Sequence, residues 1–158
     1  MGIEIERRFL AQGDLWRTGA VGVVYRQGFL STVKERVVRV RLAGNVGSLT
    51  IKGLARGFTR AEFNYPLPTA DAVEMLDTLC ERPLIEKIRH TITFGGVTWE
   101  VDEFLGENAG LVIAEVELAE ENQDFALPPW VGREVSGESR YFNANLVRMP
   151  FSRWESRP

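Results

Sequence analysis

The sequence predicts a mainly β (α+β) fold of about eight antiparallel strands, built as a sandwich or as a closed barrel. Three observations predict it. Apolar and polar residues alternate with period two along most of the 158 residues, the mark of strands with one face in a core. Glycine-containing turns separate the alternating runs. Only one clear helical stripe interrupts them. The length suits one domain with its own core, so residues 1–158 are read as a single domain.

The first strand is expected at 3–10, where Glu4, Glu6 and Arg8 share one face and Ile5 takes the other. Residues 14–18 suit a short helical turn. Strands follow at 23–31, 35–43 and 47–53, with Gly44-Asn45-Val46-Gly47 turning between the last two. A strand at 58–67 leads into a helix capped by Thr69 or Asp71, with Val73, Leu76, Leu79 and Cys80 as its apolar stripe. Arg82-Pro83 ends that helix. Strands at 84–94 and 97–105 meet at Gly95-Gly96, the signature of a tight hairpin. Residues 106–110 separate the second of these from a strand at 111–119. Pro128-Pro129-Trp130 reads as a rigid aromatic anchor or loop, and a final helix is expected at 138–148.

Composition narrows the function. Apolar residues make up 44% and charged residues 26%, as in ordinary soluble globular chains. No apolar run has membrane-spanning length. Charges at positions 4, 6, 7 and 8 are not those of a secretory signal. Cys80 is the single cysteine, so no internal disulfide forms, which fits a cytoplasmic location. The lone His90 shares strand parity with Ile88 and Ile92 and is expected to be an ordinary packed or surface residue. One histidine and one cysteine exclude zinc sites built from those ligands. The net charge of -3 argues against a nucleic-acid partner. The bases are nevertheless clustered, which points to an internal anion site.

Charge alternation bears on the choice between sandwich and barrel. Arg39 and Arg41 alternate with Val38, Val40 and Leu42, and Lys87 and Arg89 flank Ile88. Glu100 and Asp102 alternate with Trp99 and Val101, Glu115 and Glu117 with Ala114, Val116 and Leu118, and Glu62 and Asn64 with Phe63 and Tyr65. Alternation by itself favours a sandwich with its charges in water. The signs, however, are segregated strand by strand, whereas ordinary surfaces mix them. A barrel of eight strands has room for one small ligand, and its lumen would then carry opposed acidic and basic walls. Two carboxylates such as Glu4 and Glu6 on one buried face need neutralising, most simply by a hard metal ion.

Glu4-Ile5-Glu6-Arg7-Arg8-Phe9-Leu10 resembles the Glu-x-Glu-x-Lys opening of the CYTH domain, or triphosphate tunnel metalloenzyme, family. The likeness continues in order through Arg26-Gln27-Gly28-Phe29-Leu30, Arg39-Val40-Arg41-Leu42, Leu49-Thr50-Ile51-Lys52-Gly53, Arg60-Ala61-Glu62-Phe63 and Glu86-Lys87-Ile88-Arg89. It ends in Glu100-Val101-Asp102, Ala114-Glu115-Val116-Glu117-Leu118, Pro129-Trp130 and Ser139-Arg140-Tyr141-Phe142-Asn143. The short, single-domain bacterial members are the most similar. The resemblance implies a closed eight-stranded antiparallel barrel around a charged tunnel, and divalent-metal chemistry on triphosphates.

On that resemblance, Arg8, Arg26, Arg39, Arg41, Lys52, Lys87, Arg89 and Arg140 are expected to hold a triphosphate, arginine forks pairing with two phosphate oxygens at once. Glu4, Glu6, Asp102, Glu115 and Glu117 are expected to hold Mg2+ or Mn2+, with Glu62 or Glu100 assisting a second ion. Lys87 would lie near the reacting phosphates and help orient water, Glu4 and Glu6 serving the catalytic metal; with no histidine as general base, metal-activated water is the economical nucleophile. The expected activity is metal-dependent hydrolysis of inorganic triphosphate or a similar small triphosphate. Adenylyl cyclisation of ATP and non-catalytic capture of a polyphosphate are the alternatives, and a homodimer is compatible with the reading. Three positions depart from the family pattern. Arg8 replaces the motif's closing lysine and cannot shuttle a proton. Phe29 stands where many relatives have a tyrosine able to pair with Lys87, and Asn64 where glutamate is common.

Overall fold

The computed structural model describes residues 2–18 and 21–158. Its strands are β1 (Gly2–Ala11), β2 (Gly22–Ser31), β3 (Arg36–Ala43), β4 (Val46–Gly53), β5 (Thr59–Leu67), β6 (Ile85–Phe94), β7 (Val97–Phe104), β8 (Val112–Glu117) and β9 (Val131–Glu134). The first eight close into an antiparallel barrel in the order β1-β5-β4-β3-β2-β6-β7-β8 and back to β1. The sandwich is excluded, and the expected strands are all present. At the hairpin between β6 and β7, Gly95 and Gly96 take φ of 58° and 80°, the pair of positive values that a two-residue turn requires.

Closure depends on β1. One of its edges runs along β8, from Glu6 opposite Glu117 to Leu10 opposite Ile113. The other edge is divided. Gly2 to Ile5 pair with β5, and Phe9 and Ala11 pair with β9. The expected loop after Pro129 therefore includes a short ninth strand.

Three apolar clusters hold the cylinder, two outside it and one within. Phe9, Trp16, Trp99 and Trp130 cover the outside of β1, β7 and β8. Ala72, Leu76 and Cys80 seat the helix α1 (Thr69–Thr78) against Val40 of β3. The third cluster lies within one end of the barrel. There the inward positions of the strands become apolar, at Phe29, Val37, Ile85, Phe104 and Ile113. The carboxy-terminal segment packs onto them with Tyr141, Leu146, Phe151 and Trp154 and forms a floor.

The helices differ from expectation in detail. The buried stripe of α1 is Ala72 and Leu76, while Leu79 is 64% exposed. Neither Thr69 nor Asp71 caps it. Pro68 stands at the cap, and the Thr69 hydroxyl donates to the Asn45 carbonyl at 2.6 Å. The expected helix at 138–148 is two pieces, a single turn at Ser139–Tyr141 and α2 at Asn143–Arg148, because Phe142 between them is extended. His90 is buried beside Trp16, ring centroids 5.0 Å apart. Among the described residues, no helix is long and apolar enough to cross a membrane.

Candidate active site

The barrel encloses a cavity of about 800 Å³ lined mainly by charged side chains. Two walls differ in character. The acidic wall follows from the β1–β8 register, which sets Glu6 opposite Glu117 and Arg8 opposite Glu115. All four side chains share the inward parity, as do Glu4 and Lys52 on neighbouring strands. Arg8 donates to Glu6 at 2.9 Å and to Glu115 at 3.3 Å. One arginine does not satisfy both carboxylates. Burial, then repulsion from Glu115, pushes the Glu6 carboxyl well above its usual range. Burial also opposes ionisation of Glu115, but Arg8, the hydrogen bond from Glu6, Arg89 and Lys87 together outweigh it and hold Glu115 low. The two carboxyls are thus driven in opposite directions, Glu6 up and Glu115 down. Glu4 shows the opposite balance. Burial raises it, but Lys52 at 2.9 Å and Arg60 at 3.1 Å bring it down to about 2.

The basic wall is β3. Arg39 donates to the Thr50 hydroxyl at 3.0 Å, while its Nε is buried without a partner. Arg41 donates from Nε to Gln27 Oε1 at 3.0 Å and lies over the Tyr25 ring. Among the described residues neither forms an ion pair with a carboxylate. Burial, then repulsion from Arg89, lowers Arg39. Burial, then repulsion from Arg39 and Arg89, lowers Arg41 to about 9. Two half-buried guanidiniums without a counter-ion are costly unless an anion is meant to join them.

Beneath the basic wall lies a buried relay. Lys87 sits 2.7 Å from Asp102, and Asp102 also receives two bonds from Arg89, at 2.8 and 2.9 Å. Burial pulls the Lys87 ammonium down to about 7, with Asp102 only partly offsetting it. Lys87 also donates to Asn143 Oδ1 at 2.8 Å.

Most of the expected residues meet at the cavity: Glu4, Glu6, Arg8, Arg39, Arg41, Lys52, Glu62, Lys87, Arg89, Glu115 and Glu117 all line it. Glu117 stands exposed at its rim. Three do not belong to its lining. Arg26 points outward, 3.2 Å from Asp77 of α1, because β2 alternates with Tyr25 and Gln27 on the inner face. Arg140 stacks on Trp154 at 4.3 Å and donates to the Ser156 carbonyl. Asp102, expected as a metal ligand, has both oxygens taken by Lys87 and Arg89 and is 1% exposed. Sequence reasoning missed Arg60, which shares inward parity with Glu62. It also missed Gln27, Asn143 and Arg148, the last two carried to the cavity by α2.

The donor set for a cation consists of carboxylate oxygens on adjacent strands, which suits a hard divalent ion. Among the described residues, no three Asp, Glu, His or Cys side chains gather closely enough to cage an ion unaided. Oxygens of a bound phosphate chain would have to complete its shell.

The CYTH domain model matches residues 2–149. An inorganic triphosphatase of Acetivibrio thermocellus is 51% identical over 155 residues, covering 98% of this chain and 99% of that protein. An inorganic triphosphatase of Nitrosomonas europaea is 34% identical over 152 residues, covering 91% and 96%. A crystal structure of an inorganic triphosphatase superposes with a TM-score of 0.67 at 30% identity, covering 91% of this chain and 97% of the other.

Proposed function

We propose, since this chain belongs to the CYTH domain family, that its barrel hydrolyses inorganic triphosphate to orthophosphate and diphosphate. One observation carries the reading: Arg39 and Arg41 line the cavity without carboxylate partners, Arg39 with a buried Nε that meets no acceptor, within the same barrel as a wall of crowded carboxylates. A triphosphate supplies the anion that the first pair lacks. A divalent cation supplies the charge that the second lacks.

Arg39 and Arg41 grip the phosphate chain, and Lys52, Arg60 and Arg89 add positive charge around it. Glu4, Glu6 and Glu115, with Glu117 and Glu62 at their margins, would hold Mg2+ or Mn2+, which would supply Lewis-acid stabilisation of phosphate charge and make water more acidic. Lys87 holds a proton at Nζ beside the terminal phosphate, and its lowered affinity for that proton suits it to exchange one near neutral pH. Arg8 fixes the angle of Glu6 and Glu115 and carries no proton-transfer role. The walls exclude bulk water and so strengthen every charge interaction within. The same reading places the protein in the cytoplasm, in keeping with its buried free Cys80.

The test is incubation with tripolyphosphate and, separately, ATP, each with Mg2+ or Mn2+. Orthophosphate released from tripolyphosphate in a metal-dependent manner supports the reading. Cyclic AMP from ATP would establish a cyclase instead, and tight binding without product would establish a capture module.

A further inference from the structure

Asn143 stands at the start of α2, the helix that floors the barrel, and its side chain enters the cavity. Its Oδ1 accepts two hydrogen bonds, from Gln27 Nε2 at 2.7 Å and from Lys87 Nζ at 2.8 Å. A guanidinium can only donate, so Gln27 turns its oxygen to Arg41 and its NH2 to Asn143, and the atom of Asn143 that meets Gln27 and Lys87 is the amide oxygen. The amide cannot flip. Its NH2 group is thereby turned away from both partners, and among the described residues it has no acceptor. Gln27 is held in turn, since its Oε1 accepts from Arg41 Nε at 3.0 Å. A continuous chain of bonds therefore joins the anion-seeking Arg41, through Gln27 and Asn143, to Lys87. The Asn143 NH2 is thus left without a partner on a residue that lines the cavity.

We propose that Asn143 is a substrate-binding residue of the floor: its Nδ2 donates to a phosphate oxygen of the bound triphosphate, while its Oδ1 fixes the Lys87 ammonium beside that same phosphate. The inference rests on the reading of the cavity as a triphosphate site. It adds that the carboxy-terminal segment closes the barrel and also completes the anion cradle from below. Neutral amide donors suit this position. They bind phosphate without adding another repelling charge next to Arg41, Lys87 and Arg89. Phe29, which carries no hydroxyl to pair with Lys87, leaves that lysine to Asn143 and Asp102.

Calorimetric titration with tripolyphosphate, in chelator and without metal, separates this role from a structural one. Asn143→Ala removes both bonds and is expected to weaken binding about tenfold. Asn143→Asp keeps shape and the acceptor for Lys87 and Gln27 but replaces the donor by an anionic oxygen. It should weaken binding about 100-fold while its thermal midpoint stays at or above that of the wild type. In metal-supported turnover, both losses should fall on KM and on kcat together. Either variant binding triphosphate as tightly as the wild type overturns the proposal, whatever its turnover. So does a loss of affinity in Asn143→Asp matched by a fall in thermal midpoint, since that marks a role in folding alone. A wild type that binds tripolyphosphate but releases no orthophosphate sinks the hydrolase reading and leaves the binding role of Asn143 to be decided by the same titration. A wild type that does not bind it overturns both.

Discussion

Lys87 and Asp102 face each other across 2.7 Å in a space where each side chain is 1% exposed. Asp102 is the hinge of the basic wall, for it also clamps Arg89 with two bonds. A carboxylate so enclosed anchors cations and has no free oxygen for a metal.

Removing that anchor should be expensive. Asp102→Asn leaves Lys87 and Arg89 buried with no full counter-charge, and the loss of one partner from a buried ion pair costs about 3 kcal/mol or more. Urea unfolding should show this as a lower midpoint at an unchanged slope. A midpoint equal to that of the wild type would mean that water reaches these cations.

The buried lysine makes stability depend on pH in an unusual direction. Lys87 has its pKa lowered to about 7 by burial, against an ordinary value of 10.5. Between those values the unfolded chain binds more protons than the folded one, so folding stability rises as pH rises through that window. Arg41, lowered to about 9, adds the same tendency at the alkaline end. Calorimetry between pH 7 and 9 should record a rising thermal midpoint, and Lys87→Met should flatten the slope. An equal slope in the variant would assign it to other groups.

The two unpaired arginines oppose function to stability. Arg39→Met removes a guanidinium whose buried Nε has no partner. It is expected to raise stability by ~1 kcal/mol and to cut tripolyphosphate affinity about 100-fold. Thermal melting and calorimetry on the same sample check both signs. A destabilised variant that still binds would show that Arg39 is structural.

The acidic wall yields a metal-dependent prediction. Glu6→Gln removes a carboxyl whose ionisation burial and Glu115 both oppose, so the fold should be unharmed. Manganese should raise the thermal midpoint of the wild type by mass action and leave that of Glu6→Gln almost unmoved. Turnover should be lost with it. An equal manganese shift in both proteins would move the ion away from Glu6.

Much of this was legible in period-two alternation, since each strand carries its charges on one parity and its packing residues on the other. Arg39 and Arg41 are clear because Val38, Val40 and Leu42 flank them. Arg26 misled because β2 has no such contrast: Gln27 and Phe29 face inward, while Val24 and Leu30 are exposed on the other face. Asp102 misled because parity shows direction but not depth. It lies one pair beyond Glu100 along β7, where the wall is already sealed by Lys87 and Arg89. β9 spans four residues with two charges, too short and too polar to announce a strand. The entry of Asn143 follows from the extended backbone at Phe142, a break that no glycine or proline signals.

The divided edge of β1 governs the order in which the molecule becomes competent. Arg8 and Glu115 are separated by 107 positions and Arg7 and Glu134 by 127, so residues that leave the ribosome first find their partners only after nearly all the others have been made. Contacts this remote close slowly. An early nascent chain holds Arg39 and Arg41 on a hairpin before β8 has brought Glu115 and Glu117. Anion capture and metal capture should thus emerge in one late step, and intermediates that lack β8 should be inert.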